Sequence, residues 1–243
     1  MKQQKKIHRI YLATQFKSDR YTCSIDLSHR ILNVLRIKNN ETISIFNHKR
    51  EECLSSVSID GKQVILNLKE KIINKDNQTR IIRLGVSIIN MKLMDLIIQK
   101  SVELGVTNFS PIYTKRSQYK CVDKKLDHWE KIVIHATEQC GRLELMKISS
   151  PLSLVEFDNV NQCSSKYLLH QNGEKFKKED LKCNDISLLI GPEGGFEDKE
   201  IEHLEINGWK MKTINVNILR TETACISALT LLGNYDILSR YSL

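Results

Sequence analysis

Long apolar runs are missing from this sequence. No stretch approaches the roughly 18 consecutive apolar residues that a membrane-spanning helix needs. The N-terminus, MKQQKKIHRIYLAT, is basic and lacks the apolar segment of roughly 7–15 residues that marks a secretory signal. We therefore expect a soluble protein of the cytoplasm with no membrane partner.

Cysteine spacing of the kind that builds disulfide frameworks or zinc sites is also absent. The seven cysteines are an odd number, their intervals are irregular and no Cys-x-x-Cys occurs. Disulfide-rich secreted domains and zinc modules show even counts or paired spacings. We expect free thiols and no metal. The cysteines are Cys23, Cys53, Cys121, Cys140, Cys163, Cys183 and Cys225.

What the chain does have is an apolar core and an excess of positive charge. Hydrophobic residues make up 41% of its 243 residues, which excludes a disordered or fibrous protein. The formal net charge is +8. Such an excess favours a polyanionic partner, although ordinary surface charge explains it equally well.

The N-terminal part has the pattern of short strands. Apolar residues alternate with period two over 42–46 and 57–59, and Asp60-Gly61 before 64–66 predicts a tight hairpin. Ser28 is the predicted cap of a short helix that follows it. Short strands with one small helix predict a small β-barrel, because closure would remove exposed sheet edges.

A polar tract, Lys69–Arg80 (KEKIINKDNQTR), is interpreted as a linker between two domains; the alternative is a long hairpin loop inside one domain. After it, buried strands alternate with amphipathic helices, which predicts an α/β domain with a mostly parallel sheet covered on both faces. The predicted strands are 81–89, 106–113, 167–169, 186–190 and 211–216, and the predicted helices are 94–104, 127–140, 197–207 and 222–239.

The segment Leu188–Phe196 (LLIGPEGGF) carries the strongest chemical signal. A buried strand runs into a glycine-rich turn and then a helix whose first turn holds Glu197, Asp198 and Glu200. Ligands of open α/β sheets bind at such carboxyl ends of strands. The segment lacks the dinucleotide and P-loop patterns, and its carboxylates disfavour a bound phosphate. By itself it is equally consistent with a plain tight turn.

Two further segments lie at the ends of predicted helices, one at a helix start and one at a helix end. Asn217–Ala224 (NILRTETA) places Arg220 beside a helix N-terminus, with Thr221 as the predicted cap. An arginine there can hold phosphate or a uracil oxygen, and the alternative is a capping motif with a surface arginine. Glu138–Arg142 (EQCGR) ends the 127–140 helix, with Gly141 as its C-cap.

Together these segments resemble one family. Residues 99–106 (QKSVELGV), Glu138–Arg142, the Gly191–Phe196 loop and Ile218–Ala224 occur in the order and at the intervals of the RsmE family, the 16S ribosomal RNA uridine-N3 methyltransferases of the SPOUT class. The N-terminal segments 8–11 (HRIY) and 34–36 (VLR), with His29, extend the resemblance over essentially the whole chain.

The resemblance implies the architecture and the cofactor. Residues 1–74 would form a PUA-like RNA-binding β-barrel, and residues 75–243 a SPOUT methyltransferase domain with a C-terminal trefoil knot, in a homodimer. The partners would be S-adenosyl-L-methionine and 16S rRNA in the small ribosomal subunit. The implied cofactor-binding residues are Leu169, His170, Ile190, Gly191, Glu193, Gly194, Gly195, Val216, Ile218, Leu219, Arg220, Thr223 and Ala224.

The reaction needs alignment of the acceptor and removal of the proton on uridine N3. Arg220 is the predicted catalytic residue that stabilises charge on the uracil oxygens, and Glu222 and Glu138 are candidate bases; a purely structural role for both glutamates is the alternative. A lysine cluster over 175–182 is interpreted as a solvated loop. The predicted RNA contacts are Arg9, Arg36, Lys92, Arg116 and Arg142.

Two positions depart from the family pattern. Asn215 stands where a glycine is usual, and Asn217 replaces a basic residue, which puts cofactor affinity rather than the reaction in question. Two other functions remain open at this point. One is ribose 2′-O-methylation by the same fold, and the other is a non-catalytic ribosome-assembly protein that binds RNA.

Overall fold

The computed structural model describes residues 7–16, 18–72, 80–117, 119, 123–214 and 217–234. The chain divides into two compact units. The first runs to Asn77 and also contains Thr137–Leu145, and the second contains Gln78–Ala136 and Met146–Leu243. The assignment of Thr137–Leu145 to the N-terminal unit has no counterpart in the sequence analysis.

A five-stranded sheet forms the first unit. Its spatial order is β1-β3-β4-β5-β2; β1 and β3 are parallel, and the other neighbours are antiparallel. The predicted hairpin is confirmed, because Gly61 turns the chain between β4 and β5 with φ +57°. Closure into a barrel stays a prediction. The strands are β1 (Arg9–Tyr11), β2 (Arg20–Thr22), β3 (Thr42–Phe46), β4 (Glu52–Asp60) and β5 (Gln63–Ile72).

The short helix of this unit begins earlier than predicted. Helix α1 (Ile25–His29) continues into a π-helical turn at Arg30–Val34. The cap is Ser24, whose hydroxyl accepts a hydrogen bond from Leu27 N at 3.3 Å. Ser28, the predicted cap, is buried inside the helix, and its hydroxyl accepts from Val64 N at 3.2 Å. The cap prediction was wrong because this serine ties the helix to the sheet.

The predicted linker is partly structured. Strand β5 extends to Ile72 and so includes the first four residues of the tract. Arg80, its last residue, is buried and donates a hydrogen bond to Leu232 O at 2.6 Å. Residues 73–79 lie outside the described part of the chain. The charged composition of the tract did not indicate that its first residues extend β5 or that its last residue is buried in the second unit.

The second unit is built on a parallel sheet, which confirms the α/β prediction. Its order is β12-β10-β11-β6-β7-β8, with β9 continuing the edge beside β7, and each recorded pairing is parallel. The short edge strands β8 and β9 were not predicted. The strands are β6 (Ile81–Ser87), β7 (Asn108–Tyr113), β8 (Lys147–Ile148), β9 (Leu152–Ser153), β10 (Ser165–Lys175), β11 (Asp185–Ile190) and β12 (Lys210–Thr213).

Six helices accompany this sheet in the described part of the chain. The four predicted ones are present, and the short α4 and α5 are additional. Helix α3 ends in the segment that belongs to the first unit. The last helix ends at Gly233, and the predicted extension over 235–239 lies outside the described residues. The helices are α2 (Met91–Glu103), α3 (Leu126–Cys140), α4 (Leu154–Val160), α5 (Lys178–Leu181), α6 (Asp198–Ile206) and α7 (Thr221–Gly233).

Apolar packing holds helices against the sheet. On one face, Phe157 of α4 and Leu204 of α6 join Leu168, Leu189 and other buried residues in a single cluster. Gly85 makes room for this packing, since a Cβ there would lie 2.7 Å from the Phe157 ring. Helix α7 contacts α2 and β11. No described helix is both long enough and apolar enough to cross a bilayer.

Candidate active site

A cavity of about 580 Å³ opens at the carboxyl edge of the parallel sheet. Three segments of the second unit supply most of its lining: the middle of β10, the loop after β11, and the segment from the end of β12 into α7. This is the edge at which open α/β sheets bind ligands, and the volume suits a small organic molecule.

The glycine-rich loop Gly191–Phe196 lines one side of the cavity. It leaves β11 after Ile190, turns through a hydrogen bond from Gly195 N to Pro192 O of 2.9 Å, and enters α6. Gly195 has φ +69°, which favours glycine. A Cβ on Gly191 would lie 2.8 Å from the buried Phe196 ring. A larger residue at position 191 would therefore displace the Phe196 ring or the loop.

A protrusion of β10 forms a second wall. Leu169 and Glu174 both pair with Lys212 of β12, so the register shifts by five residues and the four residues 170–173 have no partner in β12. His170, Gln171 and Asn172 lie within this protrusion and line the cavity. Leu169 and His170 were predicted to lie at the cofactor site, but nothing in the local sequence indicates that the strand resumes at Glu174.

The start of α7 forms the third wall. Its N-cap is Arg220, with extended backbone, and not Thr221 as predicted. Thr221 is the first helical residue, and its hydroxyl donates a hydrogen bond to Gly191 O at 3.3 Å. The cap prediction was wrong because this hydroxyl links two of the three loops. Arg220 is exposed and Glu222 half-buried in the first turn, and neither lines the cavity.

Most of the implied cofactor residues come together here. Arg220 and Thr223 are at the helix start without lining the cavity, while Val216 and the departure Asn215 lie outside the described residues. The implied cofactor residues that line the cavity are Leu169, His170, Ile190, Gly191, Glu193, Gly194, Gly195, Ile218, Leu219 and Ala224. Their contacts with a cofactor stay a prediction.

Arg116 is the clearest residue whose place the sequence analysis missed. It was predicted to contact RNA; in the structure it lines the cavity, and its guanidinium Nη1 donates to Gly194 O at 2.5 Å. The available signal was topological, since Arg116 follows β7, whose carboxyl end lies at the same edge of the sheet. The other lining residues, which were not named individually as cofactor contacts, are Gln171, Asn172, Pro192, Phe196, Asp198, Ile201, Thr213, Ile214, Asn217 and Thr221.

Glu138, the second candidate base, lies in the first unit, where both of its carboxylate oxygens accept hydrogen bonds. Its Oε1 accepts hydrogen bonds from Tyr11 N at 2.9 Å and from Arg30 Nη1 at 3.1 Å, and its Oε2 accepts from Arg30 Nη2. Both carboxylate oxygens are thus used to attach the Thr137–Leu145 segment to β1 and to the helical turn after α1. This is the structural alternative that the sequence analysis left open.

Arg9 has a similar internal role. Its guanidinium donates to Glu52 at 2.8 Å and to the carbonyls of Thr137 and Arg142 at 3.2 Å, and it stacks 4.5 Å from the centre of the Phe46 ring. Arg142 is half-buried in the same unit. The two other predicted RNA contacts, Arg36 and Lys92, are exposed.

Thiol and metal chemistry find no support at the cavity. Cys225 follows the lining residue Ala224, but burial raises the pKa of its thiol to about 12, so it stays protonated at neutral pH. The cysteines in the described ranges are free. Among those same residues, no three histidine, cysteine or acidic side chains are grouped closely enough to hold a metal ion.

Comparisons with known proteins agree with this geometry. A family model described as an RNA methyltransferase domain matches residues 75–233. The Ribosomal RNA small subunit methyltransferase E of Buchnera aphidicola (Schizaphis graminum) is 33% identical over 94% of this chain and 96% of its own. That of Rickettsia conorii is 30% identical over 95% of this chain and 98% of its own.

The chain belongs to the ribosomal RNA small subunit methyltransferase E family. The resemblance inferred from its motifs is thereby confirmed. Two solved structures extend the likeness: the family member from Neisseria gonorrhoeae bound to S-adenosylmethionine (TM-score 0.84, 30% identity) and a methyltransferase from Legionella pneumophila in complex with S-adenosylmethionine (TM-score 0.89, 30% identity). Each covers 95% of this chain and 98% of its own.

Proposed function

We propose that this protein transfers a methyl group from S-adenosylmethionine to N3 of a uridine in 16S ribosomal RNA. The observation that carries the proposal is the cavity formed by three loops at the carboxyl edge of the sheet. Those loops are the segments that the family resemblance assigns to the cofactor. The relatives named above, two of them solved with S-adenosylmethionine, support the same cofactor here.

The residues present fit this cofactor. Leu169, Ile190 and Leu219 offer apolar walls for an adenine ring, and the bare backbone of Gly191 allows close approach. Glu193 and Asp198 place carboxylates at the cavity, which suits hydroxyl and cationic groups better than phosphates. When bound, S-adenosylmethionine supplies a methyl group already activated on its sulfonium.

The chain itself must hold the acceptor and remove its proton. Arg220 is exposed at the start of α7, where its guanidinium can bind the nucleotide and stabilise negative charge on the uracil oxygens. Glu222, in the first turn of the same helix, is the proposed base. Glu138 is the weaker candidate, because both of its oxygens already accept hydrogen bonds.

The remaining family features are part of the proposal. A PUA-like barrel in the first unit, together with Arg36 and Lys92, would bind RNA, and the net charge of +8 favours such a partner. A trefoil knot in the C-terminal part is proposed from the likeness to the family. We further propose a homodimer in which both protomers contribute to RNA binding.

The deciding experiment is methyl transfer from labelled S-adenosylmethionine to small ribosomal subunits that lack the modification, followed by nucleoside analysis. We expect the label in 3-methyluridine. Label in a 2′-O-methylated nucleoside would replace the proposed acceptor by a ribose hydroxyl. Folded protein that binds S-adenosylmethionine but transfers no label to the correct subunits would favour an RNA-binding assembly factor and contradict the proposal.

A further inference from the structure

Two lysines of the second unit are almost completely buried. Lys212 and Lys166 are 3% and 8% exposed, and each is paired with a buried aspartate at 2.9 Å, Asp180 and Asp158 respectively. A buried ammonium requires such a partner. The two pairs differ in place: Lys166 lies at the beginning of β10, and Lys212 lies opposite the point where the register of β10 breaks.

The backbone of Lys212 closes the protrusion of β10. Both Leu169 and Glu174 are its partners in β12, so residues 170–173 have no partner there. Gly173 packs directly on this backbone, since a Cβ at 173 would lie 2.5 Å from the Lys212 carbonyl carbon and 2.6 Å from its nitrogen. The conformation of the protrusion therefore depends on contact with this one residue.

The side chain of Lys212 also contacts the chain just after the protrusion. Its Nζ lies 2.9 Å from Asp180 and 3.7 Å from Glu174, the first residue after the protrusion. Asp180 is held by hydrogen bonds from Lys177 N at 2.8 Å and from the Tyr167 hydroxyl at 3.1 Å. Burial opposes ionisation, yet the hydrogen bonds and the charge of Lys212 keep the pKa of the Asp180 carboxyl below its usual range.

We propose that Lys212 is a positioning residue for the cofactor, because it holds the His170–Asn172 wall of the cavity in its binding conformation. Four residues without pairing partners in β12 have many conformations to lose on binding. A wall fixed in advance avoids that cost when the ligand enters. The inference rests on the proposed function, since the ligand is S-adenosylmethionine.

The test compares Lys212→Met with Lys166→Met in the full chain. Both substitutions remove a buried lysine of the same sheet and leave an aspartate without its cation. The dissociation constant of S-adenosylmethionine is measured by calorimetry, without RNA. For Lys212→Met we expect it to rise about tenfold, with a matching rise in KM for the cofactor and little change in kcat at saturation. For Lys166→Met we expect wild-type affinity.

Gly173→Ala tests the same wall without touching either ion pair, and it decides the matter if Lys212→Met does not fold. It is expected to weaken cofactor binding as well. Wild-type affinity in Gly173→Ala or in folded Lys212→Met overturns the inference, and so does an equal loss in both lysine variants. If the wild-type protein itself fails to bind S-adenosylmethionine, the proposed function falls first and the inference with it.

Discussion

The amino and carboxyl edges of the parallel sheet use the same kind of buried ion pair in different surroundings. At the amino edge, Lys166 and Asp158 lie beside Trp209, whose indole N–H donates to the same carboxylate at 2.7 Å. The Trp209 ring also packs against Phe157 of α4, with ring centroids 5.9 Å apart. At the carboxyl edge, Lys212 of the Lys212–Asp180 pair lies opposite a register break, and the next residues, Thr213 and Ile214, line the open cavity.

This difference indicates that the amino edge of the sheet mainly stabilises the fold, whereas the carboxyl edge provides the surface for a ligand. At the amino edge, Lys166, Asp158 and Trp209 are all buried in the interior. The Lys166–Asp158 pair there can therefore only support the fold. At the carboxyl edge, backbone that lacks sheet partners, loops rich in glycine and exposed Ile218 leave surface for a ligand. Substitutions at the two edges should therefore affect different measurements.

The largest expected effect is on stability, at the amino edge. Lys166→Met removes the lysine that pairs with buried Asp158 and leaves only His203, at 3.8 Å, beside that carboxylate, which should lower the free energy of unfolding by about 3–5 kcal/mol. Urea denaturation of the full chain measures it, with exposed Lys199→Met, expected to change stability by less than about 0.5 kcal/mol, as the control. A loss below about 1 kcal/mol would show that this edge does not depend on the pair.

The next effect is on catalysis, at the carboxyl edge. Arg220→Ala should reduce methyl transfer at least about a hundredfold, because the charge that develops on the uracil oxygens loses its cation. The thermal midpoint should stay unchanged, since the side chain is exposed and makes no cap hydrogen bond. Lys199→Ala, an exposed cation on α6, is the matched control. Near-wild-type turnover in Arg220→Ala would remove this residue from the site.

A smaller effect is expected from the glycine loop. In Gly191→Ala the new methyl group meets the buried Phe196 ring at 2.8 Å, so the loop must shift and S-adenosylmethionine should bind about tenfold more weakly. The double variant Gly191→Ala/Phe196→Leu gives the methyl group space and should recover part of the affinity. Calorimetry on both variants decides: equal affinity in the single variant and the wild type would contradict a packed loop.

The same contrast explains what could be predicted from the sequence. Period-two alternation and helical stripes depend on neighbours a few residues apart, and they predicted β6, α2 and the parallel arrangement correctly. The position of the cavity followed from the rule that ligands bind at carboxyl ends of strands. The loops after β11 and before α7 could therefore be named from motifs alone.

Features set by distant partners could not be predicted in this way. Glu138 meets Arg30 across 108 residues, and nothing local distinguishes such a glutamate from a catalytic base. The protrusion of β10 exists only because β12, more than 35 residues later, pairs on both sides of it. Arg116 reaches Gly194 across 78 residues. In each case the local sequence is compatible with several structures, and tertiary contacts select one.

The smallest expected effect concerns the hydroxyl that supports the Lys212–Asp180 pair. Tyr167→Phe removes the donor 3.1 Å from Asp180 and should lower the free energy of unfolding by about 1 kcal/mol at neutral pH. Burial raises the pKa of Tyr167 above its ordinary value, so ionisation is opposed in the folded state. The folded protein should therefore lose stability as the pH rises above about 10, where the unfolded tyrosine ionises.

Urea denaturation of the wild type and of Tyr167→Phe, repeated at pH 7 and at pH values around 10 to 11, measures this dependence. The stability difference between the two proteins should be constant below pH 10 and should shrink above it, because phenylalanine has no proton to lose. Tyr21→Phe, a half-exposed tyrosine of the first unit, is the control. A difference that stays constant through the alkaline range would mean that burial does not oppose ionisation of the Tyr167 hydroxyl, and it would contradict the packed surroundings inferred for the Lys212–Asp180 pair.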